Sequence, residues 1–364
     1  MKKILHVINV SFVINHFFGN QFSYFSNKGY HFTVACTEDD ELYKQAKAKG
    51  FKAFPVPILK AISPVQDIRS IFRLYRLIRQ EKFPVVVAHS PKGGLIGMAA
   101  AYLAGVPKRV FFRHGVIFET ASGLKKTLFI LIEKIVSWLA TDVIVVSESL
   151  KQLSVDFGLT PPAKMALLGK GTCTGIDTDR FQYRPKSDPN FVVGYVGRLV
   201  RDKGIIELVD GWLKFSKGKQ NVYLHIIGPW EKRDGIPQET FDIIKGTPSI
   251  RFFDYVADTS ALYNEMDVFI LPSYREGFPI SILEASASGL PVITTRSTGC
   301  INAIQEDITG IYTDISGPAI ARAISYYYDN PLQRQKHGAN GVNFVTTNFS
   351  EQKLFSEIEM KVLK

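Results

Sequence analysis

The chain has 364 residues, of which 44 are lysine or arginine and 34 are aspartate or glutamate, so its formal net charge is +10. Its contents of 46% apolar and 21% charged residues exclude a disordered, collagen-like or low-complexity chain. The length predicts two domains. The cysteines, Cys36, Cys173 and Cys300, are odd in number and far apart, which excludes a disulfide framework and favours a reducing compartment.

The excess positive charge lies entirely in the first half of the chain. Residues 1–183 carry 24 basic and 13 acidic side chains, whereas residues 184–364 carry 20 and 21. A one-sided basic field attracts anions, so nucleic acid, an anionic membrane surface and phosphorylated ligands are all candidate partners. The alternative is that the charge serves only solubility.

Short apolar runs alternate with helical patterns through the first half. The predicted strands are Ile4–Val10, His31–Cys36, Val85–His89, Arg109–Arg113 and Val143–Val146. Helical periodicity predicts helices over Asp67–Glu81 and Ser122–Ala140. This alternation is typical of a parallel sheet with helices on both faces. The N-terminal apolar run is too short for a signal peptide, and charges interrupt the longest apolar stretch, so no transmembrane helix is predicted.

A second series of elements follows a polar, proline-bearing stretch at residues 184–190, which is typical of a linker. Its predicted strands are Phe191–Val196, Tyr223–Ile227, Ile250–Phe253, Val268–Leu271 and Val292–Thr294. We therefore expect an α/β protein with two Rossmann-like, doubly wound parallel-sheet domains, residues 1–183 and 191–349. Ligands bind such sheets at the carboxyl ends of their strands, so a cleft between the two facing domains is the expected site.

The strongest local signal is the segment Arg275–Ala285, REGFPISILEA, which follows a predicted strand and opens a helix. Pro279 suits the first helical position because its missing N–H is not needed there. The free N–H groups of the first turn, near Phe278 to Ser281, form an anion site. Gly277 allows the backbone to approach a ligand closely.

Two carboxylates accompany this helix start. Glu276 lies in the loop before the helix, and Glu284 lies one turn inside it, so the pair can hold two hydroxyl-bearing parts of one ligand. The alternative is an ordinary helix N-terminus at which acidic residues interact favourably with the helix dipole.

A second signal is the segment Gly194–Gly204, GYVGRLVRDKG, in which a strand ends near Gly197 and a loop with Arg198 and Lys203 follows. A guanidinium and an ammonium at the carboxyl end of a strand are suited to holding a diphosphate, because arginine binds it in bidentate fashion and lysine acts as a point charge. The alternative is a loop of solvated charges.

Together the two segments resemble the retaining glycosyltransferases of family four, which have the GT-B fold and take sugars from nucleotide diphosphates. Two glutamates eight residues apart, with Gly-Phe-Pro after the first, mark the donor-binding domain of that family. The resemblance implies that Arg198 and Lys203 neutralise the leaving diphosphate, that Glu276 contacts the donor sugar, and that Glu284 contacts the ribose. The donor-binding residues that it implies are Gly19, Gly197, Arg198, Lys203, Tyr255, Val256, Glu276, Gly277, Phe278, Pro279, Ile280, Ser281 and Glu284.

The resemblance extends over almost the whole chain. The segment His89–Gly97, HSPKGGLIG, is similar to the HSPKAG segment of polysaccharide-assembly members, and residues 113–115 are similar to their Thr-x-His-Gly turn. The resemblance implies acceptor contacts from Ser90, Lys92, Arg113 and His114. It also implies that His114 belongs with Arg198, Lys203 and Glu276 in the catalytic group, as an imidazole that titrates near neutrality. The alternative for His114 is a capping or core residue.

The chain departs from the family pattern at two places. Gly19-Asn20 stands near the position of the usual Gly-Gly loop after the first strand, and Thr174 replaces the usual asparagine in a segment that resembles GSGxxNGVD. The sequence Asp177-Thr178-Asp179 matches the metal-binding Asp-x-Asp of another glycosyltransferase fold, but it falls at the domain junction. We interpret it as a turn, and we expect no metal and no cofactor.

Basic residues accompany two predicted helices of the first half. In Asp67–Glu81 the residues Ile68, Ile71, Phe72, Tyr75 and Ile78 form one face, with arginines largely off it. In Ser122–Ala140 two lysines precede an apolar run that ends near Trp138. Basic residues beside apolar ones suit an anionic membrane surface, whereas the alternative is an ordinary helix packed on the sheet.

The resemblance thus predicts a metal-independent hexosyltransferase, on the cytoplasmic side and peripheral to the inner face of the membrane. Its expected partners are a nucleotide-sugar donor, UDP-linked and of the N-acetylhexosamine type, and a polyprenyl-diphosphate-linked or other glycan acceptor in capsule or O-antigen synthesis. The last helix, residues 350–364, is expected to return to the first domain. The alternatives are a UDP-sugar 2-epimerase of the same fold and a nucleic-acid-binding protein, although no nucleic-acid-binding motif supports the latter.

Overall fold

The computed structural model describes residues 2–59, 63–231 and 235–364, which form two compact units. The first unit runs to Gly175 and includes Glu351–Lys364, and the second unit is Ile176–Ser350. The first unit therefore ends eight residues before the predicted boundary at 183. The proposed linker, residues 184–190, lies inside the second unit, where the Lys186 ammonium pairs with the Asp267 carboxylate at 2.6 Å. The last residues of the chain belong to the first unit.

The first unit contains one sheet of seven parallel strands in the order β3-β2-β1-β4-β5-β6-β7. These strands are β1 Lys2–Val7, β2 Tyr30–Cys36, β3 Lys52–Pro55, β4 Val85–His89, β5 Lys108–Arg113, β6 Asp142–Val145 and β7 Met165–Leu167. Its helices are α1 Ile14–Phe18, α2 Gln21–Ser26, α3 Asp40–Lys49, α4 Pro64–Glu81, α5 Pro91–Leu103, α6 Gly123–Leu139 and α7 Glu148–Asp156. The predicted strand Val85–His89 is confirmed, and all five of its residues are buried, as expected for a central parallel strand.

The second unit contains a sheet of six parallel strands in the order β10-β9-β8-β11-β12-β13. These strands are β8 Phe191–Val196, β9 Val222–Ile227, β10 Ile250–Phe253, β11 Val268–Leu271, β12 Val292–Thr294 and β13 Gly310–Tyr312. Its helices are α8 Ile205–Ser216, α9 Gln238–Gly246, α10 Ser260–Tyr263, α11 Ile280–Ala287, α12 Gly317–Asp329 and α13 Pro331–Phe349. The chain then returns to the first unit with α14, Glu351–Ile358, and a π-helical turn, Glu359–Leu363.

Glycines let helix α5 lie close to the first sheet. A Cβ atom built on Gly97 would lie 3.0 Å from side-chain atoms of Ala88 and Val7, and one built on Gly94 would meet the Phe111 ring. The glycines of the HSPKGGLIG segment thus serve close packing of helix on strand. In the part of the chain that the structure describes, no helix is long and apolar enough to span a bilayer.

Candidate active site

Both sheets reverse their strand order next to their first strand. In the first unit the reversal separates β1 from β4, and in the second it separates β8 from β11. Open α/β sheets bind ligands outside the carboxyl ends of the strands at such a switch point. Predicted site residues follow β4, β8 and β11, so the topology assigns them to these two places.

The loop after β8 places Arg198 at the surface of the second unit. The Gly197 N–H donates to the carbonyl of Ile227 at 2.9 Å, and the Tyr195 hydroxyl donates to the carbonyl of Arg198 at 2.9 Å. The Arg198 guanidinium pairs with the Glu231 carboxylate at 2.8 Å, and 44% of the arginine side chain is exposed. The backbone of this loop is therefore fixed, while the guanidinium stays open to an anion.

Lys203 and Glu276 form an ion pair between the loops that follow β8 and β11. Both side chains are largely buried, with exposures of 19% and 12%. Gly204 makes this approach possible: it has φ +68°, and a Cβ atom there would collide with the Pro272 carbonyl at the end of β11. Lys203 and Glu276, to which the resemblance assigned separate roles, thus contact each other directly.

A polar network that the sequence did not reveal holds these loops together. The Arg275 guanidinium pairs with the Asp202 carboxylate at 2.6 Å, and the Ser273 hydroxyl lies 2.9 Å from the carbonyl oxygens of both residues. The Thr295 hydroxyl donates to the Ser273 carbonyl at 2.6 Å. These polar side chains follow strands, and the sequence carried no further signal of their partners.

Helix α11 begins at Ile280, so Pro279 is the residue before the helix and does not occupy the first helical position as predicted. The side chains of Phe278, Pro279 and Ile280 are buried, and the Phe278 ring lies against Phe349 at 5.4 Å. A ligand at this helix start therefore meets backbone groups and the half-buried Ser281, which agrees with an anion site built from N–H groups.

Glu284 lies inside α11 and accepts a hydrogen bond from the hydroxyl of the fully buried Tyr263 at 2.8 Å. Burial raises the pKa of the Glu284 carboxyl, and the Tyr263 hydrogen bond opposes that rise. Tyr263 precedes Glu284 by 21 residues, and no feature of the sequence linked the two.

Tyr255 and Val256 follow β10, the edge strand, which β9 separates from β8. The Tyr255 side chain is 65% exposed, and the backbone N–H of Tyr255 donates to the Asp254 carboxylate at 2.8 Å. No described contact joins Tyr255 or Val256 to Glu276 or Lys203, so their assignment to the base of a nucleotide remains a prediction.

Three histidines form a line across the switch point of the first sheet. His6 on β1 is paired in register with Val87, His89 on β4 is paired with Phe112, and His114 comes two residues after Phe112. Because side chains alternate between the faces of a strand, all three imidazoles lie on the same face. The distances are 3.0 Å between His6 Nδ1 and His89 Nε2, and 2.9 Å between His89 Nδ1 and His114 Nε2.

The surroundings of these histidines are aromatic. The Phe17 ring stacks on His114 with 3.8 Å between centroids and 2° between planes, and Phe18 meets the His6 ring edge-on at 4.9 Å. Burial lowers the pKa of His6 and of His114 to about 3, and lowers the pKa of His89 well below its ordinary value. The expectation that His114 titrates near neutrality is therefore wrong: the ring is neutral at pH 7.

Arg113 precedes His114 and therefore lies on the opposite face of the sheet. It is fully buried, with its guanidinium 2.9 Å from the Glu133 carboxylate, and it donates to the hydroxyls of Ser137, Ser154 and Thr160. The prediction that Arg113 contacts an acceptor is wrong, because its donors are turned into the core toward α6 and α7.

The other predicted residues of the first unit are also held by neighbours. Ser90 has φ +65°, donates to the Asn9 side-chain carbonyl at 3.1 Å, and caps helix α5 by accepting from the Gly93 N–H. The Lys92 ammonium pairs with Asp67 of α4 at 2.8 Å. These contacts position the start of α5, and an acceptor role for either residue stays a prediction.

Gly19 does not lie in the loop that directly follows β1. The strand ends at Val7, and Gly19 comes after a 3-10 turn and helix α1, with its carbonyl accepting from the Lys49 ammonium at 2.6 Å. A Cβ atom there would lie 3.1 Å from the Thr174 hydroxyl. The two positions at which the sequence departs from the family pattern are thus neighbours in the first unit.

The Asp177 carboxylate accepts from the backbone N–H groups of Asp179 and Arg180, both at 3.1 Å. These contacts make an Asx turn, as the sequence interpretation requires. Over residues 2–59, 63–231 and 235–364, no group of three or more histidine, cysteine or acidic side chains is arranged to hold a metal ion.

Both halves of the chain match family models of glycosyltransferases. The family model "Glycosyl transferase 4-like domain" matches residues 14–171, and "Glycosyl transferases group 1" matches residues 190–330. The capsular polysaccharide biosynthesis glycosyltransferase CapM of Staphylococcus aureus is 34% identical over 98% of this chain and 96% of its own length.

Two further matches extend the comparison. The UDP-Gal:alpha-D-GlcNAc-diphosphoundecaprenol alpha-1,3-galactosyltransferase of Escherichia coli is 26% identical over 81% of this chain and 79% of its own length. The crystal structure of Anabaena Alr3699/HepE in complex with UDP-glucose superimposes with a TM-score of 0.81 over 98% of both chains, at 17% sequence identity. That structure has the predicted GT-B fold, which is thereby confirmed for this chain.

Proposed function

The chain belongs to the glycosyltransferase family of the 4-like and group 1 domains, and from that premise we propose that it moves a sugar from UDP to a lipid-linked glycan with retention of configuration. The observation that carries the proposal is the set of charges between the loops after β8 and β11, namely Arg198, Lys203 and Glu276. The similarity to a capsule-synthesis enzyme supports a role in surface polysaccharide assembly.

The two cations of this set are suited to a leaving diphosphate. Arg198 and Lys203 each hold a carboxylate, from Glu231 and Glu276 respectively. A diphosphate carries more charge than a carboxylate and forms strong charge-assisted hydrogen bonds with a guanidinium, so it is expected to replace these partners. The start of α11 adds backbone N–H groups directed at the same anion.

Retention follows from a front-face reaction in which the protein supplies positioning and charge. The acceptor oxygen bonds to the anomeric carbon on the face from which the diphosphate departs, and the acceptor proton passes to the leaving phosphate oxygen. Glu276 holds the donor sugar, Glu284 holds the ribose, and His114 holds a hydroxyl of the donor sugar or of the acceptor. No residue acts as a nucleophile, so the residues named contribute orientation and electrostatic stabilisation.

Binding of UDP tests the assignment of the cations. In the double variant Arg198→Met/Lys203→Met, calorimetry is expected to show an affinity for UDP about 10–100-fold lower, since each charged hydrogen bond contributes about 1.5–3 kcal/mol and water replaces part of the loss. Lys214→Met is the matched control because that lysine forms an ion pair with Asp210 on the surface of α8. An unchanged affinity in the double variant would contradict the diphosphate site.

We propose further that the reaction proceeds without a divalent metal ion, because Arg198 and Lys203 supply the positive charge that the leaving group requires. Turnover with a UDP-sugar is expected to be the same with EDTA as without it. If EDTA abolished turnover and magnesium or manganese restored it, this part of the proposal would be wrong. A panel of UDP-sugars, including UDP-N-acetylhexosamines, identifies the donor by turnover.

For the acceptor side we propose that helices α4, α5 and α6 bind the inner face of an anionic membrane, where lipid-diphosphate acceptors are found. The outer side of α6 carries an exposed apolar stripe at helical spacing: Leu124, Leu128, Leu131, Ile135 and Trp138. On α4, Val65, Ile68 and Phe72 are 66%, 55% and 58% exposed. Helix α5 packs against both α4 and α6, so the three lie side by side.

The charges beside these apolar side chains favour an anionic membrane as the partner of the face formed by α4, α5 and α6. Exposed arginines at positions 69, 73, 76 and 79 border the apolar side chains of α4, and Lys125 and Lys134 border those of α6. An apolar strip with basic flanks binds the boundary between acyl chains and anionic headgroups, and each cation near such a surface contributes about 1 kcal/mol. The E. coli relative acts on a diphosphoundecaprenol compound, which supports an acceptor held in the same layer.

Cosedimentation with vesicles tests the membrane face. We expect binding to vesicles of phosphatidylglycerol and phosphatidylcholine, and little binding to phosphatidylcholine alone. The variants Leu131→Gln/Trp138→Gln and Arg73→Glu/Arg76→Glu are both expected to reduce binding, the second more strongly at low salt. Leu332→Gln in the second unit, where Leu332 is 81% exposed, is the matched control. Equal binding by all these variants would contradict the assignment.

A further inference from the structure

We propose that His89 and His6 are positioning residues for His114. The three imidazoles form one chain of hydrogen bonds that keeps the proton of His114 on Nε2 and leaves Nδ1 as an acceptor for a sugar hydroxyl. This inference rests on the proposed function only for the identity of the hydroxyl. The arrangement of protons within the chain stands on the geometry of the first unit.

The hydrogen-bonded line of three imidazoles allows only two arrangements of its protons. Nδ1 of His6 faces Nε2 of His89, and Nδ1 of His89 faces Nε2 of His114, at 3.0 and 2.9 Å. A neutral imidazole has one N–H and one lone pair, so each contact needs a donor on one side and an acceptor on the other. Either every ring carries its proton on Nδ1, or every ring carries it on Nε2.

The surroundings of His6 favour the second arrangement. Nε2 of His6 makes no hydrogen bond with any of the residues that the structure describes, and the rings of Phe18, Phe22 and Phe32 lie 4.9, 5.5 and 5.7 Å from its centroid. Among aromatic neighbours an N–H can make a weak hydrogen bond with a ring, whereas a lone pair finds no donor. The proton of His6 therefore lies on Nε2.

The same arrangement then holds along the line. Nδ1 of His6 accepts from Nε2–H of His89, and Nδ1 of His89 accepts from Nε2–H of His114. Stacking of Phe17 on His114 at 3.8 Å fixes the plane of the last ring. Within the part of the chain that the structure describes, His114 makes no side-chain hydrogen bond other than that to His89, so its Nδ1 is left to accept from a ligand hydroxyl.

Nitrogen-15 NMR of the histidine side chains in the full wild-type chain tests the protonation pattern directly. We expect His6, His89 and His114 to carry their protons on Nε2 at pH 7, with assignment by single substitution. The inference would be overturned if any of the three carried its proton on Nδ1. This measurement needs no substrate, so its outcome is independent of whether the proposed function is correct.

Kinetics test the positioning role. His89→Phe keeps an aromatic ring but breaks the line of hydrogen bonds, and we expect kcat to fall about 10–100-fold, the loss seen when the partner that orients a metal-bound histidine is removed. His89→Gln, which retains a donor and an acceptor, is expected to recover part of that loss. Phe32→Leu is the packing control, because Phe32 touches the His6 ring without a hydrogen bond. An effect of Phe32→Leu equal to that of His89→Phe would overturn the inference.

His114→Ala separates the two proposals. If His114→Ala retained full turnover, the role of His114 in the proposed function would be wrong. If His114→Ala lost turnover while His89→Phe kept both the wild-type kcat and the Nε2–H form of His114, only the present inference would be overturned. A rise in KM for the sugar donor alone, or for the glycan acceptor alone, in His114→Ala identifies which of the two carries the hydroxyl.

Discussion

The two units place their candidate functional side chains at the same topological position but give them different electrostatic character. In the first unit the switch point carries three neutral histidines, of which His6 and His89 are buried, and the Arg113–Glu133 ion pair lies in the core. In the second unit the switch point carries cations and carboxylates that remain partly open to solvent. The difference teaches that sheet topology determines where a ligand binds, whereas the side chains on each strand face determine whether the site binds charge.

The largest effect tests whether the Arg113 charge is purely structural. Arg113→Met leaves the Glu133 carboxylate buried without its partner, and is expected to lower the free energy of unfolding by about 3–5 kcal/mol. Denaturant unfolding followed by circular dichroism measures the change. The double variant Arg113→Met/Glu133→Leu is expected to lose less, because no unpaired charge remains. A double variant as unstable as the single one would show that the buried charge is not the cause.

Next in size is the effect of Glu276 on catalysis. Glu276→Gln removes the carboxylate that faces Lys203, and kcat is expected to fall about 10²–10³-fold, the usual loss for one electrostatic contributor, with the fold intact. Initial rates with the UDP-sugar donor and a thermal melt measure the two properties. Glu306→Gln is the matched control, since Glu306 pairs with the exposed Arg296 in the same unit. Turnover at the wild-type rate would remove Glu276 from the site.

The neutral histidines of the first unit predict a loss of stability in acid. In the unfolded chain His6 titrates near its ordinary pKa of 6.5, whereas burial lowers its folded pKa to about 3, so protons bind the unfolded state more readily. The contribution of His6 to the free energy of unfolding is fully present above pH 6.5 and falls as the pH approaches 3, by about 2 kcal/mol between pH 7 and pH 5. Unfolding of wild type and His6→Phe at both pH values measures it. A loss in His6→Phe as large as in wild type would contradict this origin.

The smallest effect concerns the buried hydrogen bond of the second unit. Tyr263→Phe removes the donor to the half-buried Glu284 and is expected to cost about 1 kcal/mol of stability, the net contribution of one hydrogen bond. The KM for the donor is also expected to rise, since Glu284 is proposed to hold the ribose. The exposed Tyr326→Phe on α12 is the control. If KM and stability were both unchanged, the Tyr263 hydroxyl would have no role in orienting Glu284.

Much of the fold was predictable because central parallel strands are short, continuous apolar runs. Val85–His89, Phe191–Val196 and Val268–Leu271 begin and end where the sequence predicts. The strands that escaped prediction, β3, β7 and β13, have three or four residues each and are largely half-buried, so they lack a clear apolar run.

The candidate site of the second unit was partly predictable for a different reason. Arg198, Lys203 and Glu276 stand in short segments directly after strands, so local sequence identifies them. Arg113 was misjudged because sequence does not show which face of a strand a side chain takes without the register. The Tyr263–Glu284 hydrogen bond and the line of histidines join residues 21 to 83 positions apart, and no local pattern carries such contacts.

The Arg113–Glu133 ion pair also holds helix α6 against the sheet. Glu133 lies on the inner side of this helix, and its partner is the last residue of β5, so detaching α6 from the sheet would separate two buried charges. A helix joined to its domain by a flexible linker can move away from the domain to enter a membrane. Helix α6 is instead held to the sheet by an ion pair near its centre. On the membrane face proposed above, the apolar outer side of α6 would therefore meet lipid while the helix stays packed on the sheet. Because Arg113 adjoins His114 in the chain, this ion pair would connect the position of α6 on the proposed membrane with the position of the histidine.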